Sequence, residues 1–260
     1  DETASVLFLF CQFYNKTGDD TLLQRFYTSM VVPMANFLAS YVDNRTHLPK
    51  PSYDLWEEHF MVTTYTTATV QAALFAAANL ADRRRDEVGA VAWRTVAEDI
   101  KQSAQKRLYD PHQKAFRKGL RRNKNGTYTP DDTLDMSAVY GLYDNQEDLH
   151  QAIQTALDRF HFKLEAPGLP RYENDAYYRS APDAPSNWWF IVSLWLAQYY
   201  LECGDENSAQ RIISWVASQA WPTGVLSEQI DPVSGSECSV APLCWSQAEF
   251  ISTILDVIKR

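Results

Sequence analysis

The chain has 260 residues, 45% hydrophobic and 22% charged, and this composition can form a substantial core. Its formal net charge of -9 argues against a nucleic-acid partner, because phosphate binding needs clustered Lys and Arg. There is no run of about 18 apolar residues, so we predict no membrane span. The five histidines are scattered without metal-ligand spacing, so we also predict no metal site and no cofactor.

The cysteines and the N-terminal residue are the features of the sequence that concern the cellular location of the protein. A chain of this length needs no disulfide, so we expect free thiols, a reducing compartment and a cytoplasmic location. No signal peptide is visible, but the chain opens on Asp1 rather than Met, which leaves a preceding leader open. The oligomeric state is left open as well. The four cysteines are Cys11, Cys203, Cys238 and Cys244.

Apolar residues at spacings of three and four predict nine helices. Pro33 should kink the second helix, and the Ala-rich third helix should pack closely on a neighbour. We expect the fourth helix to turn Val88 and Val91 inward, together with residues 96, 100 and 108. The predicted helices lie at about residues 4–15, 21–42, 65–81, between 86 and 109, and at about 133–143, 147–160, 188–202, 206–219 and 245–258.

The first helix is expected to bury one apolar face. That face carries Val6, Leu7, Phe10, Phe13 and Tyr14.

Long and short connections alternate along the chain. The long ones fall at about residues 43–64, 109–132, 161–187 and 220–244. If neighbouring helices are antiparallel, every long connection emerges at the same end, where binding sites are usually found. The hairpins use helices two at a time and leave the ninth without a partner, which predicts an incomplete ring.

The segment at residues 51–58 concentrates acidic and aromatic side chains. It carries Asp54, Glu57 and Glu58 beside Trp56. Ionised carboxylates could be buried in a core only if they were paired. In the wall of a polar pocket, aromatic faces would bind a sugar ring, and a carboxyl near Trp56 could act as an acid. The alternative is a solvated first turn of a helix, where the helix dipole favours Glu, and these residues leave both interpretations open.

A second acidic segment lies in the last long connection. Glu228 stands among polar neighbours, and Trp245 follows soon after. Two carboxylates on different loops at one end of a bundle are what glycoside hydrolysis uses, although most loop glutamates are simply solvated. The basic run from Lys118 to Lys124 is interpreted as a solvated loop.

Five segments occur together in a characteristic order: residues 51–58 (PSYDLWEE), 171–178 (RYENDAYY), 187–189 (NWW), 227–229 (SEQ) and 242–246 (PLCWS). With them the chain resembles the glucoamylase family, glycoside hydrolase family 15, along its whole length. The resemblance implies an all-α fold, an (α/α)6 barrel of helical hairpins, with an inverting mechanism. It implies a single catalytic domain over residues 1–260 that represents roughly the C-terminal three quarters of the barrel.

The resemblance also implies residue roles. Glu57 would be the general acid, and Glu228 the general base that activates water. Arg171 could instead pair only with Glu173 or Asp175, and the tryptophans at 189 and 245 could be ordinary core residues at helix starts. The implied substrate contacts are Asp54, Trp56, Glu58, Arg171, Tyr177, Trp189 and Trp245.

The resemblance implies release of glucose from the non-reducing ends of α-linked glucans or oligosaccharides. A non-catalytic carbohydrate-binding or regulatory domain is the alternative from another class, and a trehalase or α-1,6-glucosidase is the alternative within the family. The chain departs from the family pattern at His59, Met61, Thr63 and Gln247. Family members also carry further helices and a Trp-x-Arg-Asp loop before the segment that resembles residues 1–3, so we expect a fragment that could be inactive alone.

Overall fold

The computed structural model describes residues 1–140 and 146–260. They divide into two compact units, residues 1–153 and 154–260. Within the described ranges, no helix is both long and apolar enough to cross a bilayer. The α-helices are α1 (Glu2–Thr17), α2 (Asp20–Phe26), α3 (Val32–Ser40), α4 (Thr64–Arg84), α5 (Glu87–Leu108), α6 (Gln146–Arg159), α7 (Phe190–Glu202), α8 (Glu206–Ser218) and α9 (Cys244–Ile258).

Short antiparallel strands occupy the long connections. Strands of two to four residues are too short to register in an analysis of helical periodicity. The strands are β1 (Ser52–Tyr53), β2 (Phe60–Thr63), β3 (Tyr109–Asp110), β4 (Ala115–Phe116), β5 (Gly119–Arg122), β6 (Tyr128–Asp131), β7 (Trp188–Trp189), β8 (Gln229–Ile230) and β9 (Glu237–Cys238). In the described ranges they pair in three sheets, with strand orders β1-β2-β5-β6, β3-β4 and β7-β8-β9.

The helix predicted at residues 21–42 is interrupted. A π-helical segment, Tyr27–Val31, separates α2 from α3 and ends two residues before Pro33. The backbone N–H of Val32 donates to the carbonyl of Tyr27, five residues earlier. The irregularity therefore lies beside the proline that was expected to kink the helix, whose ring disturbs the preceding turn.

The helix predicted at residues 133–143 is wrong over its described part. Only a 3₁₀ segment, Met136–Tyr140, is present there, and residues 141–145 lie outside the described ranges. The Asp135 carboxylate accepts a hydrogen bond from the backbone N–H of Ser137 and lies 3.1 Å from Lys118 Nζ. This buried pairing holds the backbone in a short turn instead of a regular helix.

The core of the first unit is built on α4, which packs against α1 and α5. Alanines at 73, 77 and 81 are fully buried, as the composition of this helix predicted. The inward face predicted for α5 is wrong at Val88 and Val91, which are 83% and 64% exposed. Alanines 90, 97 and 104 face inward instead, beside Trp93 and Ile100, because small side chains let two helices approach closely.

A similar correction applies to α1. Leu7 and Tyr14 are buried as predicted, but Val6 and Phe13 are about half exposed. The buried positions of α1 also include Ala4 and Cys11, so they recur at a regular spacing of three and four.

In the second unit, α7 packs against α8 and α9. Residues 190–197 of α7 are buried on all sides, which marks it as the central helix of this unit. The helix begins directly after β7, so its buried position also fixes the strand that carries Trp189.

Candidate active site

The acidic segment forms the loop of the β1–β2 hairpin. Tyr53 pairs with Phe60 across the two strands. The backbone N–H of Asp54 donates to the carbonyl of His59, and that of Glu57 donates to the carbonyl of Asp54, both at 2.9 Å. The segment is a tight turn between strands, so the alternative of a helical first turn is wrong.

Glu57 lies at the tip of this turn with a left-handed backbone, φ 58°. A non-glycine residue there costs on the order of 1–3 kcal/mol, and such conformations concentrate at functional sites. The side chain is exposed, and its carboxylate makes no hydrogen bond or ion pair with the described part of the chain. The turn therefore presents an acid that can be used by a ligand.

A buried ion-pair cluster supports the turn from below. Lys118 Nζ lies 3.3 Å from an Asp54 oxygen and 3.1 Å from an Asp135 oxygen, and the three side chains are at most 3% exposed. The Asp54 carboxylate also accepts the backbone N–H groups of Glu58 and His59, at 2.8 and 3.2 Å. Asp54 is thus buried because it is paired, as its charge requires.

Trp56 is linked to the same cluster. Its indole N–H donates to the Asp135 carboxylate at 3.0 Å, and the residue is only 8% exposed. The structure therefore places Trp56 beneath the turn, where it fixes the backbone that carries Glu57. Glu58 is half-buried in the same turn.

Lys118 reaches Asp54 because β5 pairs with β2. The backbone N–H of Thr64 donates to the Lys118 carbonyl at 3.0 Å, and Thr63 faces Gly119. A Cβ at Gly119 would lie 2.1 Å from the Val62 carbonyl, so only glycine permits this approach. The prediction that the basic run from Lys118 is a solvated loop is wrong at Lys118, which is 3% exposed.

In the second unit, Glu228 immediately precedes β8. Its backbone N–H donates to the Val240 carbonyl, and its side chain is half-buried. The Gln229 amide donates to one Glu228 carboxylate oxygen at 2.9 Å, and Asn187 donates to the Gln229 amide oxygen at 3.0 Å. Because Asn187 occupies that oxygen, the Gln229 amide nitrogen must point at Glu228, which fixes the orientation of the carboxylate.

Arg171 is buried and makes a two-point pair with Asp175, at 2.8 and 2.9 Å. The pair with Asp175 is one of the alternatives that the sequence leaves open, and the other candidate, Glu173, lies 2.7 Å from Arg159. The Arg171 guanidinium carbon also lies 5.0 Å from the Tyr177 ring centre and 4.5 Å from that of Trp189. A buried cation thus lies among aromatic rings, a cation–π arrangement that fixes the rings.

Strand pairing places Trp189 opposite the residue that follows Glu228. Trp189 in β7 pairs with Gln229 in β8, whose side-chain amide donates to the Glu228 carboxylate. Trp189 is 4% exposed and Tyr177 is 40% exposed. Within the second unit, the site therefore combines a held carboxylate with a partly exposed aromatic wall.

Trp245 lies in the first turn of α9 and is half-buried, with its ring 6.1 Å from that of Trp195. Both side chains contact the Glu249 carboxyl, which also accepts the Gln198 amide at 2.7 Å. Burial raises the pKa of Glu249, and the hydrogen bonds from Gln198 and the two indoles oppose that rise without cancelling it. A half-buried carboxyl therefore holds Trp245 in place.

The structure gathers the predicted residues into two groups, one in each unit. Asp54, Trp56, Glu57 and Glu58 share the hairpin turn, while the others belong to the second unit. That Glu57 and Glu228 face each other stays a prediction. Residues that sequence reasoning missed support the predicted ones from buried or half-buried positions, and partners of each come from distant parts of the chain. They are Lys118, Asp135, Asn187 and Glu249.

Comparison with known proteins identifies the family. The sequence profile of glycosyl hydrolases family 15 matches residues 1–207. The chain belongs to glycosyl hydrolase family 15. Among the residues described, this family 15 chain has no group of three or more His, Cys, Asp or Glu placed to hold a metal ion.

One curated relative is an uncharacterized glycosyl hydrolase of Methanocaldococcus jannaschii. The family 15 chain is 29% identical to it over an alignment 266 residues long, gaps included. The alignment covers 96% of this chain and 40% of the relative. The chain thus spans about 40% of the length of the curated protein it matches.

Solved structures show the same fold. A bacterial glucoamylase complexed with acarbose matches with a TM-score of 0.78 at 18% identity, covering 100% of this chain and 40% of that one. A wild-type glycosidase matches with a TM-score of 0.76 at 20% identity, covering 98% of this chain and 66% of the other. The predicted fold of this family 15 chain, helical hairpins of an (α/α)6 barrel, is confirmed.

Proposed function

We propose that the chain carries the active site of an inverting glycoside hydrolase that releases glucose from the non-reducing ends of α-linked glucans or oligosaccharides. Membership of family 15 and the likeness to a glucoamylase structure support a glycosidase. We propose the substrate, the stereochemistry and the residue roles in addition to this glycosidase activity. A single catalytic domain over residues 1–260 is part of the same proposal.

Glu57 donates a proton to the glycosidic oxygen. Its exposed carboxyl at the tip of a left-handed turn is the observation that carries the proposal, because Asp54, Lys118 and Asp135 fix the turn beneath it. A carboxyl that extends from a fixed backbone and has no protein partner is suited to meet a substrate atom. The surrounding turn, not a protein partner of the carboxyl, sets its position.

Glu228 deprotonates the attacking water. One of its carboxylate oxygens accepts the Gln229 amide, an arrangement that orients the group and leaves acceptor capacity for water. Attack on the face opposite the leaving oxygen requires the two carboxyl groups to be about 6.5–9.5 Å apart, so that the water fits between them. Tyr177 and Trp245 supply the accessible apolar faces against which a sugar ring packs, and Trp189, which is 4% exposed, supports the Tyr177 ring at a centroid distance of 6.1 Å.

The test follows the anomer that is first released from an α-glucoside, by NMR. The proposal predicts the β-anomer, and early appearance of the α-anomer overturns inversion. Glu57→Gln and Glu228→Gln should each lower kcat by about 10²–10⁴-fold, the usual contribution of a general acid or base. Glu165→Gln, at an exposed glutamate in another connection, is the matched control and should leave kcat unchanged.

Maltose, isomaltose and trehalose, compared side by side, separate a glucoamylase from an α-1,6-glucosidase and from a trehalase. If the two glutamine variants leave any measured hydrolysis unchanged while sugar still binds, the chain is a carbohydrate-binding or regulatory domain instead.

A further inference from the structure

A concave site lies in the first unit, outside the residues proposed for catalysis. It is an open groove of about 590 Å³ between the connection after α3 and the strands β2, β5 and β6. This size is within the usual range of small-molecule sites. We call it the cationic groove, after three cations in its lining. Three cations and three aromatic residues line it, namely Lys50, Arg122, Lys124, Tyr41, Phe60 and Tyr128.

The charge of the groove contrasts with that of the chain. The chain has a formal net charge of -9, yet three cations line this one site against a single carboxylate, Asp43. That carboxylate stays charged, because it accepts the backbone N–H groups of Arg45 and Thr46 at 2.9 and 3.1 Å, but the three cations outnumber it. A concave cluster of cations on an otherwise acidic protein concentrates anions locally.

The cations themselves are available to a ligand. Arg122 and Lys124 are exposed and form no ion pair within residues 1–140 and 146–260. Lys50 Nζ makes one long contact, 3.5 Å to the Ser40 carbonyl, and lies 5.6 Å from the Tyr41 ring centre. An incoming anion would therefore not have to displace a protein carboxylate from any of the three.

The groove also offers a flat apolar surface. Phe60 is 64% exposed, and its ring meets the Tyr53 ring edge-on at 5.6 Å across the β1–β2 pair. Tyr128 is half-buried in β6, on the opposite side of the four-stranded sheet order from β1. Exposed aromatic faces bind the apolar face of a sugar ring, which an inorganic anion lacks.

We propose that the cationic groove binds a phosphorylated hexose, with the sugar ring on Phe60 and the phosphate among Lys50, Arg122 and Lys124. The phosphate carries nearly two negative charges at neutral pH and three acceptor oxygens, which matches three unpaired cations. The ligand is either a free hexose phosphate or a phosphate ester on a glucan chain, because both present the same chemistry. The proposal does not depend on the catalytic roles of Glu57 and Glu228.

The test is calorimetric titration of the chain at low salt and about pH 7.5 with glucose 6-phosphate, glucose and inorganic phosphate. Glucose 6-phosphate should bind about tenfold or more tightly than either fragment, because only it makes both sets of contacts. Equal binding of glucose and glucose 6-phosphate overturns the proposal. Inorganic phosphate binding as well as glucose 6-phosphate overturns it too, since the site would then be a general anion site.

Variants of the lining residues test whether glucose 6-phosphate binds in the cationic groove. Arg122→Glu should weaken glucose 6-phosphate binding by about tenfold or more, while the same change at Arg211, exposed on α8, should leave it unchanged. Phe60→Ala should weaken glucose 6-phosphate binding without changing that of inorganic phosphate. Both residues are exposed, so these variants should fold, which circular dichroism verifies. Unchanged affinity in Arg122→Glu overturns the proposal.

The two sources are separated by co-sedimentation with a phosphorylated glucan and with the same glucan after phosphatase treatment. Stronger retention on the phosphorylated polymer, lost in Arg122→Glu, supports the glucan ester as the ligand. Binding of glucose 6-phosphate with equal retention on the two polymers supports the free sugar phosphate, because glucan binding without a phosphate effect belongs to the site proposed for hydrolysis. Equal retention on the two polymers without binding of glucose 6-phosphate contradicts the proposal.

Discussion

Lys118 should be the most sensitive single position beneath the acid turn. Replacing it by Met keeps a similar volume but removes the only cation between Asp54 and Asp135 in the cluster. At 3.1–3.3 Å and an effective dielectric constant of about 20, each ion pair is worth about 5 kcal/mol of attraction. Desolvation of three buried charges and repulsion between the two carboxylates offset most of this attraction.

The net loss is set by the charges left behind. Removing one partner from a buried pair typically costs about 3–5 kcal/mol, because an uncompensated charge stays buried. We expect Lys118→Met to lower the free energy of unfolding by that amount, measured by guanidinium titration at pH 7 as a fall in the midpoint at constant slope. Adding Asp135→Asn should restore part of the loss, because it removes one of the two unpaired carboxylates.

Arg121→Met is the matched control, three residues further along the same chain segment. Arg121 pairs with Asp131 at 2.6 Å but is 49% exposed, so its removal should cost about 0–1 kcal/mol. If Lys118→Met costs no more than Arg121→Met, the cluster does not hold the turn and the reasoning about Glu57 fails.

Three further predictions follow from buried polar groups. Gln229→Leu should lower kcat more than it changes KM, because Glu228 loses its orienting donor, and equal kinetics would count against that role. Because burial raises the pKa of Glu249, the stability that this carboxyl contributes is full below its unfolded pKa of about 4.3 and declines as the pH rises through its folded pKa. The difference in unfolding free energy between the native chain and Glu249→Gln should therefore fall above about pH 4.5. A difference that does not change with pH would refute this prediction. Burial raises the pKa of the Cys11 thiol to about 12, so a thiol reagent at pH 8 should label exposed Cys203 and reach Cys11 only on unfolding; equal rates would contradict this.

Helix positions could be predicted from the sequence because hydrophobic spacing and capping residues are local signals. Asp86 and Asp205, for example, cap α5 and α8 through their side chains, as such residues do. The inward face of α5 is harder to predict, since alanines carry little hydrophobic signal but permit close packing. Hydrophobic spacing therefore assigns the valines at 88 and 91 to the core in place of their smaller neighbours.

The candidate site was partly visible in the sequence. Glu57 and Glu228 stand in recognisable segments, whereas their supports depend on long-range pairing. Lys118 belongs to a basic run that has every local mark of a solvated loop, and only the pairing of β5 with β2 buries it. Asp135 lies in a stretch whose helical pattern is overridden by that same lysine.

The most direct test of the central claim is the separation between the Glu57 and Glu228 carboxyl groups, measured in a crystal structure of the chain with a bound oligosaccharide. The account predicts that they flank the scissile bond about 6.5–9.5 Å apart, with a water on the Glu228 side. A separation of about 5 Å, or side chains that do not meet at a common sugar, would contradict it.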